Sequence, residues 1–201
     1  MRKFTRKPCP SVLLEPFSKK NTKPRWVIYG ERYEKQKNQS YYNYPQINNE
    51  KLNHLIFPTL IAQTDVHCSY CDGFPLMSAD ETIDHFKPKS KFPLDVCNWE
   101  NLYVACAHCQ NVKGTQYDDL LIRPDEFSYD FNTYFFYDYT EHKIKILPNL
   151  SIDKLNRANK TDEILDFNHK GMVDSRRQSY DGFIDKPDYP KDKLKHRFIF
   201  Q

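Results

Sequence analysis

The chain has 201 residues, with 30 basic and 27 acidic side chains and a formal net charge of +3, a balance that permits contact with nucleic acid without arguing for it. Aromatic residues make up 15% beside only five glycines, which excludes wholesale disorder and predicts a core built on Tyr and Phe. No apolar run approaches the roughly 20 residues of a membrane span, and the basic stretch Met1 to Phe17 is too polar for a secretory signal. The expected location is the cytoplasm, where thiols stay reduced.

Residues 1–30 read as extended and irregular, broken by prolines at 8, 10, 16 and 24. Glu31 to Tyr44 has helical spacing, with Tyr33, Lys37 and Tyr41 on one face and Pro45 as its stop. A second helix is predicted from Asn48 to Gln63, where Leu52, Leu55, Ile56 and Leu60 recur at helical intervals. Asn48 or Asn49 is its cap, and Pro58 should kink or split it. Thr82 to Phe86 and Leu102 to Ala105 read as strands, with a basic turn at Lys87 to Lys91 and a short helix from Gln110 to Gly114. Tyr134 to Tyr137 and Lys143 to Leu147 pair as a hairpin, and Ser151 to Phe167 and Met172 to Tyr180 are helical. The expected fold class is α+β. An N-terminal arm with helices (1–66), a core (67–122) and a C-terminal hairpin with helices (123–201) make one compact domain.

Four of the six cysteines form two C-x-x-C pairs, Cys68/Cys71 and Cys106/Cys109. Each pair can present two thiolates to one ion, and two pairs complete a closed, structural four-thiolate zinc site. No βαβ pattern surrounds either pair, which argues against a thioredoxin-like redox couple. His67 and His108 are the alternative ligands, and Cys9 and Cys97 read as buried or free thiols.

Between the pairs stand Asp84 and His85. A neutral imidazole can take a proton from an attacking water, and a carboxylate is a hard ligand suited to Mg2+ or Mn2+. Lys87, Lys89, Lys91 and Lys113 supply charge for a phosphate backbone. Phosphodiester hydrolysis needs these types: a base for water and a cation beside the leaving 3′-oxygen. Neighbouring strand positions point to opposite faces, so a bend must bring Asp84 and His85 to one pocket.

The run Ile83-Asp84-His85-Phe86-Lys87-Pro88-Lys89-Ser90, then Asn98-Trp99-Glu100-Asn101-Leu102, then the second pair with Lys113-Gly114 resembles the HNH, or ββα-metal, endonucleases with two zinc knuckles. Within them it is most similar to the HNH proteins of retron and Septu-type anti-phage systems. The strong match spans residues 67–114, about a quarter of the chain. The resemblance implies a ββα-metal core stapled by zinc, His85 as general base and Asp84 as ligand of a catalytic Mg2+ or Mn2+. It implies that Asn101 pins the loop carrying the base. The family's final His or Asn falls on Gln110, a departure that makes Asn111 the other candidate ligand. Also implied are a nucleic-acid substrate, DNA first, an ATPase partner and, in retrons, a reverse transcriptase with its DNA product. The competing reading is a non-catalytic zinc-knuckle protein that binds nucleic acid or serves as an adaptor.

Overall fold

The strand Leu102–Ala105 is buried at all four positions and divides two hydrophobic cores. The computed structural model describes residues 1–36, 42–74, 76 and 82–200. Its helices and strands in chain order are α1 (Ser11–Leu14), α2 (Arg25–Glu34), β1 (Gln46–Ile47), β2 (Glu50–Lys51), α3 (Leu52–Ala62), β3 (Thr82–His85), β4 (Leu102–Ala105), α4 (Ala107–Lys113), β5 (Phe135–Asp138), β6 (Lys143–Ile146), α5 (Ile152–Leu165) and α6 (Lys170–Asp185). The strands pair as three small antiparallel sheets, β1 with β2, β3 with β4 and β5 with β6. The architecture is mixed α+β.

The N-terminal third differs from the sequence expectation in several places. Residues 1–30 are not irregular throughout, because α1 and most of α2 lie within them. Pro24 sits at the N-cap of α2, where a proline's fixed φ and missing N–H do no harm. Tyr29 and Tyr33, four residues apart, then bury one face of that helix. The helix expected from Glu31 to Tyr44 does not run that length: α2 ends at Glu34, Lys35 caps it, and Tyr42 to Tyr44 are not helical, while residues 37–41 lie outside the described residues. Asn48 and Asn49 do not cap a helix: their φ values of 50° and 67° make them the two central residues of the β1–β2 turn. A two-residue hairpin of the right twist requires positive φ at both, which Asn tolerates. So α3 starts at Leu52, buries Leu52, Ile56 and Leu60, and runs through Pro58 unsplit.

The C-terminal part follows the predicted pattern more closely. The β5–β6 hairpin sets Phe135 opposite Ile146 and Tyr137 opposite Ile144. Ser151 caps α5 through its side chain. His169 does the same for α6, which extends beyond the predicted Met172–Tyr180 at both ends.

One core gathers α1, α2, α3, Val96, Trp99 and Leu102; the other gathers Tyr70, Tyr103, Val104, Phe131, Phe135 and Ile164 around the paired cysteines. Tyr33, Tyr70, Tyr103, Tyr129 and Phe135 are fully buried, so aromatic rings do carry the core. No helix among the described residues is long and apolar enough to cross a membrane.

Candidate metal centre and adjoining cleft

The two C-x-x-C pairs meet. The Sγ atoms of Cys68, Cys71, Cys106 and Cys109 all lie within 4.8 Å of one another. Cys71 and Cys106 are 3.8 Å apart, far beyond a disulfide bond of about 2.05 Å. A tetrahedron with Zn–S of about 2.3 Å has sulfur–sulfur edges of about 3.8 Å, so the donor set fits zinc and could hold it. The first knuckle closes through Asp72 N–H to the Cys68 carbonyl (2.9 Å) and Cys68 N–H to the Gly73 carbonyl (3.0 Å). Asp72 takes the left-handed turn, at φ 55°. The second knuckle runs from β4 straight into α4, with Cys106 as its N-cap and its N–H directed at Cys68 Sγ (3.4 Å). The close approach of the Cys109, Cys68 and Cys71 sulfurs holds the Cys106 pKa below the ordinary thiol range, and the same sulfur contacts push Cys71 and Cys109 up. Neither alternative ligand joins the cluster: His67 bonds the carbonyls of Asp65 and Leu194, and the His108 ring lies tilted against that of His169, 5.0 Å between centroids.

β3 and β4 pair in antiparallel register, Asp84 opposite Tyr103 and His85 opposite Leu102, and α4 follows the second knuckle. A cleft of about 420 Å3 opens beside them, lined by Asp84, His85, Lys89, Ser90, Gln110 and Thr115 among others. Asp84 and His85 therefore reach one cleft although adjacent on a strand, because β3 ends at His85 and the chain turns. Both are buried.

His85 Nε2 lies 3.0 Å from the Val96 carbonyl. A carbonyl only accepts, so Nε2 carries the proton and Nδ1 keeps its lone pair. Nδ1 has no hydrogen-bond partner among the described residues. Burial pushes the His85 pKa down to about 4, with Lys89 and Lys113 adding to the effect against the Val96 hydrogen bond, so the ring is neutral at pH 7. Asp84 Oδ2 accepts from the Tyr70 hydroxyl (2.6 Å) and sits 3.1 Å from Lys113 Nζ. Burial raises its carboxyl above the ordinary range, against the pull of Lys113 and Tyr70.

Asn101 ties down the loop after β3. Its Oδ1 accepts from Lys87 N–H (2.7 Å), and its Nδ2 donates to the carbonyls of Lys87 (3.0 Å) and Asp95 (3.1 Å). The next residue after Asp95 is Val96, whose carbonyl orients His85. Gln110 lines the cleft and donates Nε2 to the Ile83 carbonyl (3.4 Å), leaving its amide oxygen as an acceptor. Asn111 is exposed and lies outside the cleft lining.

The expected lysines separate. Lys89 lines the cleft, Lys91 is exposed, and Lys87 lies over the rings of Phe92 and Tyr117. Lys113, expected to face a phosphate backbone, has no solvent exposure and bonds the His85 carbonyl (2.7 Å) as well as Asp84. Two participants escaped sequence reasoning. Tyr70 stands inside the first knuckle, where its tyrosine side chain between two ligands was the available signal. Val96 acts through its backbone, which leaves no mark in the sequence.

No protein-family model matches the chain. A 57-residue segment, 28% of this chain, is 35% identical to the Septu protein PtuB of Bacillus thuringiensis, and the match spans 22% of that protein's length.

Proposed function

We propose that the chain is a metal-dependent phosphodiester hydrolase of the HNH type, acting on DNA as the nuclease effector of an anti-phage defence system. The observation that carries the proposal is the state of His85, which lines the cleft: a neutral ring, held through Nε2 by Val96, with no partner on Nδ1 among the described residues. A water in that cleft gives its proton to Nδ1 as it attacks phosphorus. Asn101 positions the base by fixing the loop that carries Val96. Lys89 attracts the phosphate backbone. Asp84 and Gln110 both line the cleft, and a carboxylate with an amide oxygen would offer the oxygen ligands that Mg2+ or Mn2+ takes. When bound, such an ion supplies positive charge for the leaving 3′-oxygen. The four cysteines hold zinc as a staple and take no part in the chemistry.

The likeness to a Septu protein supports the defence role and, with it, an ATPase partner. A retron complex with a reverse transcriptase and its DNA product is the variant of that reading. One observation favours the non-catalytic alternative: Lys113 already neutralises Asp84 at 3.1 Å, which opposes a second cation there.

Plasmid nicking by wild type and His85→Ala, with Mg2+, with Mn2+ and with EDTA, decides between them. Metal-dependent nicking that the substitution abolishes is the expected result. Zinc-loaded protein that binds DNA equally well in both forms and never cuts, alone or with the neighbouring gene products, would establish the binding protein instead.

A further inference from the structure

A second cleft, larger than the first at about 660 Å3, lies under the N-terminal arm and shares no lining residue with the cleft of Asp84 and His85. Its wall carries five basic side chains, Arg2, Lys3, Arg6, Lys7 and Arg197, against two carboxylates, Asp65 and Asp72. Both carboxylates are already engaged: Arg197 holds Asp72 at 2.7 Å and Asp65 at 2.9 Å, and Arg2 holds Asp65 at 3.2 Å. Arg6 in turn pairs with Asp125 at 2.6 Å, outside this lining, so Lys3 and Lys7 supply the excess positive charge of the wall.

Three of its lining side chains are also unfinished. Of the six buried side-chain nitrogen or oxygen atoms without a hydrogen-bond partner among the described residues, three belong to this wall: Arg6 Nη2, Gln63 Nε2 and Ser69 Oγ. All three side chains are more than nine-tenths buried, with the Arg6 side chain at 8% exposure and residues Gln63 and Ser69 at 6% and 2%. Their other atoms are held. Arg6 Nε bonds Asp125 (2.6 Å), its Nη1 bonds the carbonyls of Trp99 and Leu102, and Gln63 Oε1 accepts from Lys7 N–H (3.3 Å). What remains is a guanidinium nitrogen, an amide nitrogen and a hydroxyl, all able to donate. Orphaned buried donors are rare and point to a missing acceptor.

We infer that this second cleft binds a phosphoryl group, through Arg6, Gln63 and Ser69, with Lys3 and Lys7 attracting it from the rim. A tetrahedral oxyanion offers several acceptor oxygens to these donors, and an arginine is the preferred partner of such an anion. The group can come from a mononucleotide or from a nucleic-acid backbone. The inference stands apart from the hydrolase reading, since it needs neither His85 nor Asp84.

The test follows thermal unfolding of the zinc-loaded full chain in inorganic phosphate against sodium chloride at equal ionic strength. Adenosine monophosphate and a single-stranded oligothymidylate are the further probes. Phosphate is expected to raise Tm beyond chloride, and Gln63→Leu with Ser69→Ala to weaken apparent affinity about tenfold or more. His85→Ala should keep the full response. A second measurement on the unaltered chain guards against a variant that fails to fold: the Gln63 side-chain amide and Ser69 amide resonances should shift with phosphate. Tighter binding of the mononucleotide or of the oligonucleotide identifies the source of the group. Equal response to phosphate and chloride with unmoved Gln63 and Ser69 resonances overturns the inference and assigns the three donors to ordered water.

Discussion

Lys113 brings its ammonium within 3.1 Å of Asp84 Oδ2 while having no solvent exposure. A buried carboxylate and a buried ammonium each lose hydration, and neither is tolerable without the other. The pair also joins the end of α4 to β3, because the same ammonium donates to the His85 carbonyl. Lys113→Met should therefore destabilise the chain by about 3–5 kcal/mol, the usual cost of stranding one partner of a buried pair. Adding Asp84→Asn should restore part of that loss, with a coupling of about 1–3 kcal/mol in a urea-unfolding cycle. Strict additivity of the two substitutions would show that the pair does not act as a unit.

The four-cysteine cluster is continuous with the larger core, since Cys68, Cys71 and Cys109 belong to it. Metal removal should then reach beyond the knuckles. Elemental analysis is expected to give one zinc per chain, and Cys106→Ser to lower that content. Zinc binding in small domains amounts to about 10 kcal/mol or more of folding free energy, so a strong chelator should abolish the near-ultraviolet signal of the buried tyrosines. Cobalt substituted for zinc should give the absorption of tetrahedral thiolate coordination. Full tertiary signal after complete zinc removal would rule out the structural role.

Acid sensitivity has an identifiable source. Burial pushes His85 and His196 down to about 4, and both are nearly inaccessible. The unfolded chain takes up these protons near the ordinary value of about 6.5. Between the two values the unfolded state holds more protons than the folded one, so stability falls as pH drops. From pH 7 to pH 5.5 each histidine should account for a loss of roughly 1.2 kcal/mol. His196 bonds the Cys71 carbonyl and Ser175, so His196→Gln keeps a polar side chain there without the titration. Urea midpoints of wild type and His196→Gln at pH 7 and pH 5.5 measure the difference directly, with any zinc effect common to both. Parallel pH dependence in the two proteins would remove His196 from the account.

Much of the candidate site was legible because its signals are local and depend on residue type. Two C-x-x-C pairs with no βαβ pattern around them marked the knuckles, and the alternation of charged and aliphatic residues from Lys143 to Leu147 marked β6. Asn101, read through the resemblance as a loop anchor, makes three hydrogen bonds to that loop. What escaped depends on the tertiary arrangement. Four lysines looked alike in sequence, yet the fold places one in the cleft, one over aromatic rings, one in solvent and one in the core. Prolines misled in the N-terminal third, where Pro24 reads as a breaker but starts α2. Asn48 and Asn49 suit a cap and a hairpin turn equally well, and only the strand pairing decides between them.

Gly30 connects the N-terminal helix to the candidate base. It lies on the buried face of α2, where a Cβ would overlap the Leu94 carbonyl oxygen and crowd the Leu94 backbone. Leu94 belongs to the short 3-10 turn Pro93–Asp95, and Val96, two residues on, holds His85. Because the obstacle is backbone, Gly30→Ala must push the turn and α2 apart. Overpacking of this kind costs about 1–3 kcal/mol, and the displaced Val96 carbonyl should carry the imidazole with it. If the hydrolase reading holds, nicking should fall by about tenfold to a hundredfold, the penalty of a small misplacement at a reacting group. Gly182→Ala is the control, since nothing lies within 4 Å of a Cβ at that position in α6. There the substitution should stabilise by about 0.5–1 kcal/mol through helix propensity and leave nicking unchanged. Equal stability changes at the two glycines would mean that the close approach of α2 to the Pro93–Asp95 turn does not constrain the site.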